Sequence, residues 1–132
     1  MKIYKSILFF LVISLSVNFS FANTSIPEEI IIAFKTGNSN ELVKYFNNDI
    51  ELVILEKEDV YSKVQAGLII KNFFSKHSPT GFNIIHQGGN ETSKYAIGKL
   101  QTSNGDYRIY LLLKIIDNQP IIHQLRIEKE DE

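Results

Sequence analysis

Three imidazoles, His77, His86 and His123, are the side chains of this sequence best suited to proton transfer near neutral pH. His86 alternates with Phe82 and Ile84, and His123 with Ile121 and Leu125. Strict strand alternation therefore turns both rings toward one apolar face. Two imidazoles lining one cavity could serve as general acid and base, or as half of a metal site, with Tyr107 as a hydroxyl donor beside them. The plainer expectation is that each is a hydrogen-bonded, partly buried histidine at the edge of the core. No third ligand accompanies them, so no metal site is expected. His77 follows a helix, where a cation complements the partial negative charge of the helix end, and it is given no catalytic role.

The carboxylates are placed less well. A buried base should project inward from mid-strand, where burial raises its pKa. Asp106 lies in a hairpin, Asp117 in a turn, Glu128 at a strand end and Glu51 beside an apolar set. There is no cysteine, no glycine-rich phosphate loop, no nucleophile elbow and no metal-spaced histidine pair on a helix, so no cofactor is expected.

These residues need elements to carry them. Ser25 and Glu28 have capping-box spacing around Pro27, followed by the apolar stripe Ile30, Ile31 and Phe34, with Gly37 as the stop. Asn38 and Glu41 repeat the pattern for a short helix burying Leu42, Val43 and Phe46 and ending at Asn47 and Asn48. Ser62 and Gln65 cap a third helix in which Ala66, Ile69, Ile70, Phe73 and Phe74 fall on one face, closed by Ser78 and Pro79. Residues 49–56 read as a strand with a return near Val60 and Tyr61. Strands are predicted over 82–87, 93–102, 106–116 and 121–128.

Asn104 and Gly105 are the preferred pair for a two-residue type I′ turn. That turn would set Thr102 opposite Tyr107, Leu100 opposite Ile109, Gly98 opposite Leu111 and Ala96 opposite Leu113, all facing the helices. Tyr95, Ile97, Lys99 and Gln101 would then share the outer face with Arg108, Tyr110, Leu112 and Lys114. On the last strand Ile121, His123, Leu125 and Ile127 look inward by hydrophobicity. A clean loop at Asn118 and Gln119 would put His123 and Leu125 on the outer face instead, so a longer loop or a β-bulge is expected there.

The amino terminus reads as an export signal. Lys2 and Lys5 precede an apolar stretch over 6–17, and Ser20 and Ala22 supply small residues before a cut at Asn23. Polar residues at Ser14, Ser16, Asn18 and Ser20 interrupt the run that a membrane anchor would need. One secreted or periplasmic domain over 23–132, with no membrane attachment after cleavage, is the expectation. Without Lys2 and Lys5 the 14 basic residues become 12 against 15 acidic ones, a net charge of −3. Four of those acids are Glu128, Glu130, Asp131 and Glu132. No concentrated basic run exists, which argues against a nucleic-acid partner.

The order of elements resembles the nuclear transport factor 2-like superfamily of cone-shaped, cystatin-like α+β domains, and within it an uncharacterised family of small secreted bacterial proteins. The likeness is carried by Gly37-Asn38 with Glu41-Leu42 and Phe46, by Gln65-Ala66 with Phe73-Phe74, by His86-Gln87-Gly88, by Tyr95-Ala96-Ile97-Gly98 with Leu100, and by residues 105–110. It spans about residues 26–128. The resemblance implies three amino-terminal helices packed on a strongly curved antiparallel sheet of four to six strands. It also implies a pocket between helices and sheet, where members of the superfamily carry isomerase, cyclase or dehydratase chemistry on an acidic or imidazole base. Fold alone assigns no activity.

Two functions follow as expectations. The favoured one is a non-enzymatic module: a small apolar ligand binds in the cone through His86, Tyr107 and His123, or the outer face at Tyr95, Ile97, Tyr110 and Leu112 binds a protein or a second copy as a homodimer. The alternative is a small isomerase or cyclase using His86 or His123.

Overall fold

The computed structural model describes residues Ser25–Asp131; the expected export signal over 1–22 lies outside the described residues. Helices α1 (Glu28–Thr36) and α2 (Ser39–Val43) come first. Strands β1 (Phe46–Ile54) and β2 (Lys57–Ser62) follow, then helix α3 (Lys63–Lys76), then β3 (Pro79–Gly89), β4 (Ser93–Thr102), β5 (Gly105–Ile116) and β6 (Gln119–Lys129). Two helices thus precede the sheet, and the third is inserted after the first hairpin. The six strands form one sheet ordered β2-β1-β6-β5-β4-β3, antiparallel except where β1 pairs with β6 in parallel. The expectation of a wholly antiparallel sheet is corrected there, because closing the last strand onto the first makes them run the same way.

Local chemistry explains the helix ends. Ser62 and Gln65 form the full capping box of α3, each side chain bonded to the other's backbone N–H at 3.2 and 3.3 Å. The Asn38 side chain accepts from the Glu41 N–H at 3.1 Å to start α2, and Gly37 ends α1 in the left-handed conformation at φ 65°. Ser25 is not the cap residue of α1. Pro27 occupies the cap of α1 without a side-chain cap bond, and the Ile26 N–H instead reaches Gln87 Oε1 across the fold at 3.2 Å. Asn47 and Asn48 belong to β1 and do not end α2.

The helices cover one face of the sheet. Ile30, Phe34, Leu42, Ile70, Phe73 and Phe74 meet Phe82, Leu100, Ile109, Leu111, Leu113 and Leu125, all buried. Aromatic rings cross this core in sequence: Phe82 packs on Phe34 at 4.8 Å between centroids, Phe34 on Phe74 at 6.2 Å, Phe74 on Phe73 at 6.0 Å, and Phe73 on Tyr107 at 5.2 Å.

The register of the β4–β5 hairpin differs from expectation by two residues. Thr102 pairs with Gly105, Leu100 with Tyr107, Gly98 with Ile109 and Ala96 with Leu111. The loop residues are Ser103 and Asn104, and of this pair with Gly105 only the glycine has positive φ, at 133°, so the turn is not type I′. A shift of two preserves strand parity, which is why the inward set is still Ile109, Leu111 and Leu113. The β5–β6 loop is Asp117-Asn118, with φ of 51° and 61°. The expected bulge lies further along β6: Leu112 pairs with Gln124 but Leu113 with Ile122, leaving His123 between them as the extra residue.

Candidate functional site

The main opening is a groove of about 900 Å³ between α3, the β1–β2 hairpin and the end of β6. Its floor is apolar. Leu52 and Ile54 of β1 face Ile69 and Phe73 of α3, with Tyr61 of β2 on one side. Ile69 sits at the margin of the buried α3 stripe and stays only partly covered, which leaves apolar surface in the groove.

Two leucines stand at the mouth. Leu68 is 64% exposed and Leu55 is 42% exposed. Leu55 also adopts φ 57°, the left-handed region that a leucine seldom enters. A side chain that would be less costly as glycine or asparagine is held there, facing water at the rim of an apolar groove.

His77 is among the residues lining the groove. Its ring stacks on Phe73 at 4.6 Å, and its Nδ1 lies 2.7 Å from Asn104 Oδ1 and 2.9 Å from the Tyr107 hydroxyl. Asn104 Nδ2 donates to the Lys76 carbonyl at 3.1 Å, which fixes the amide so that Oδ1 can only accept. Nδ1 therefore carries a proton, and Nε2 is the nitrogen without a partner among the described residues. The β4–β5 turn thus clamps the end of α3 and orients this imidazole.

The other histidines lie elsewhere. In β3, Ile84 pairs with Gly98 but His86 with Ile97, so Ile85 is an extra residue and alternation breaks before His86. His86 is consequently exposed on the outer face, its Nε2 at 2.9 Å from the Tyr95 hydroxyl. Strands β4 and β5 separate β3 from β6, which puts the strands carrying His86 and His123 roughly 14 Å apart at about 4.8 Å per strand, and the register sets His86 level with Arg126 and not with His123. They do not share a cavity. Tyr107 does face inward, but it meets His77. Ile122, expected outside, is fully buried, and Ile121 pairs with Lys114 on the other side. Tyr95, Ile97, Tyr110 and Leu112 are neighbours on the outer face, with Ile97 opposite Tyr110 and Tyr95 opposite Leu112. Among the described residues no group of three His, Asp or Glu side chains could hold a metal ion, and no helix is long and apolar enough to cross a membrane.

His123 occupies an unusual place. Both ladders of β6 lose register at it, the one with β5 between Leu112 and Leu113 and the one with β1 between Phe46 and Glu51. Its Nε2 is buried with no hydrogen-bond partner among the described residues. Burial, helped by the charge of Lys114, holds its pKa below the ordinary 6.5. An unfolded chain protonates this histidine near 6.5 and the folded one resists, so the unfolded state binds more protons as acidity rises. Stability is therefore expected to fall as the pH drops from about 6.5 through the lowered value. Urea titrations between about pH 7.5 and about pH 5 should show a shallower decline for His123→Gln than for the wild type. Equal slopes would contradict the assignment.

Sequence reasoning missed His77 as a groove residue and missed Leu55 and Leu68. Leu68 carried the available signal, since it lies exposed, with Val64 one turn before it, off the buried α3 stripe.

Comparison with known proteins agrees with this architecture. Residues 27–128 match the family model described as Domain of unknown function (DUF4783). A DUF4783 family protein from Bacteroides ovatus ATCC 8483 is similar at 40% identity and TM-score 0.78, covering 83% of this chain and 100% of its own. One from Bacteroides uniformis ATCC 8492 is similar at 41% identity and TM-score 0.78, covering 82% and 100%. A designed NTF2-like protein shares the fold at TM-score 0.62 and 8% identity, covering 76% of this chain and 90% of its own. No curated protein matches at a significant level. With its α+β cone and its match over nearly the whole described domain, the chain belongs to the DUF4783 family.

Proposed function

We propose that this is an exported, non-enzymatic binding domain whose groove between α3 and the β1–β2 hairpin receives a small apolar ligand. One observation carries the reading: an apolar groove of about 900 Å³, within the usual range for ligand sites, is rimmed by exposed leucines, one of them in a strained backbone conformation. Large side chains left in water around a concavity mark an interaction site. The His77 imidazole in its wall is held by Asn104 and Tyr107, which gives a ligand one fixed polar contact.

The neutral fluorophore N-phenyl-1-naphthylamine tests this. It is expected to bind with a Kd on the order of 100 μM or tighter, and Ile69→Trp, which fills the groove, should weaken it by about tenfold. Leu68→Arg changes an exposed residue and keeps the fold, so it guards against unfolding of the first variant and should weaken binding severalfold. Binding that both folded variants leave unchanged, or no binding by the wild type, would refute the proposal.

A further inference from the structure

The mouth of the groove is unevenly charged. Lys57 at the start of β2, Lys76 at the end of α3 and Lys129 at the end of β6 surround it, together with Glu56 and Glu128. Glu128 is already engaged, because its Oε1 accepts from Arg126 Nη2 at 2.9 Å and from Arg126 Nε at 3.2 Å. The three lysines make no ion pair among the described residues. Three uncommitted ammonium groups therefore stand against the carboxylate of Glu56, while the floor behind them is uncharged.

A helix C-terminus normally repels an anion through its free carbonyls. Here α3 ends beside the groove with two of its last four carbonyls, and that of Ser78 just beyond it, hydrogen-bonded within the protein. Phe73 O accepts from the His77 N–H at 2.9 Å, Lys76 O from Asn104 Nδ2 at 3.1 Å, and Ser78 O from the Ser103 N–H at 2.9 Å. The clamp that orients His77 thus also engages the Lys76 carbonyl, the last of the helix, and so softens its opposition to a negative head group.

We infer that the groove takes an anionic amphiphile, a single apolar chain ending in a carboxylate, with the chain against Ile54, Ile69 and Phe73 and the head among Lys57, Lys76 and Lys129. This rests on the groove being a ligand site and adds the class of ligand. The lysines are exposed, so each contributes modestly, about two- to threefold, and together roughly tenfold.

Displacement of N-phenyl-1-naphthylamine by dodecanoate, dodecanol and dodecyltrimethylammonium tests the inference. Dodecanoate should displace the dye at about tenfold lower concentration than dodecanol, and the cation should be the weakest. The preference should shrink in about 0.5 M salt, where screening acts within a few ångströms, and should fall to within about twofold in the triple variant Lys57→Gln, Lys76→Gln, Lys129→Gln. Equal displacement by all three amphiphiles, or a carboxylate preference that survives in the triple variant, overturns the charge selectivity while leaving the groove as a ligand site. Failure of the dye itself to bind removes the site and this inference together.

Discussion

Phe34→Ala is expected to cost about 3–5 kcal/mol, the range for emptying a large aromatic from a packed core. Phe34 is fully buried and joins two halves of the aromatic series, lying 4.8 Å from Phe82 on the sheet and 6.2 Å from Phe74 on α3. Helix α1 has only nine residues, too few to be stable alone, so it depends on this packing. Neither ring can move into the void without leaving its own contacts, and the cavity term should be large. Urea melts would show a lower midpoint with an unchanged slope. A loss below about 1 kcal/mol would mean that α1 is held by something else. Because Phe34 packs toward β3 and the groove lies toward β1 and β2, a folded Phe34→Ala variant should still bind N-phenyl-1-naphthylamine within about twofold of the wild type.

Gly98→Ala comes second, at about 1–3 kcal/mol, toward the upper end for overpacking. A Cβ at Gly98 would lie 2.5 Å from both Cε2 and Cζ of Phe82 and 3.1 Å from the Asn83 carbonyl oxygen. Phe82 is itself buried beneath Phe34, so the ring has nowhere to go. The glycine is required here by the close approach of a phenyl ring to the β4 backbone. If that is the cause, Phe82→Leu should cost less in the Gly98→Ala background than alone, by about 1 kcal/mol in a double-mutant cycle. Strict additivity would show that the penalty comes from backbone conformation instead.

The sequence made the framework legible because the framework is periodic. The α3 stripe of Ala66, Ile70, Phe73 and Phe74 and its Ser62–Gln65 cap were readable from spacing alone, and so were Ile109, Leu111 and Leu113 on the inner face. Even the wrong hairpin register kept the right face, since a slip of two preserves alternation. The site was much less legible, and for one physical reason: both histidines expected to line the cavity are displaced by β-bulges. The extra residue at Ile85 turns His86 outward, and His123 is itself the extra residue in β6. Alternation has no means of locating a bulge unless a turn fixes the strand at each end, and only β6 offered that contradiction in advance. The groove was hidden for a different reason. It lies between the β1–β2 hairpin and α3, a tertiary property that no local pattern encodes, although an exposed Leu68 off the buried α3 stripe pointed to it.

A ligand seated between α3 and the β1–β2 hairpin would be visible in a crystal structure of the protein grown with dodecanoate. Continuous chain density is expected along Ile54, Ile69 and Phe73, with the carboxylate near Lys76 and Lys129. Dodecanoate bound instead on the outer sheet face beside Tyr95 and Tyr110, with the groove closed by its own side chains, would contradict it.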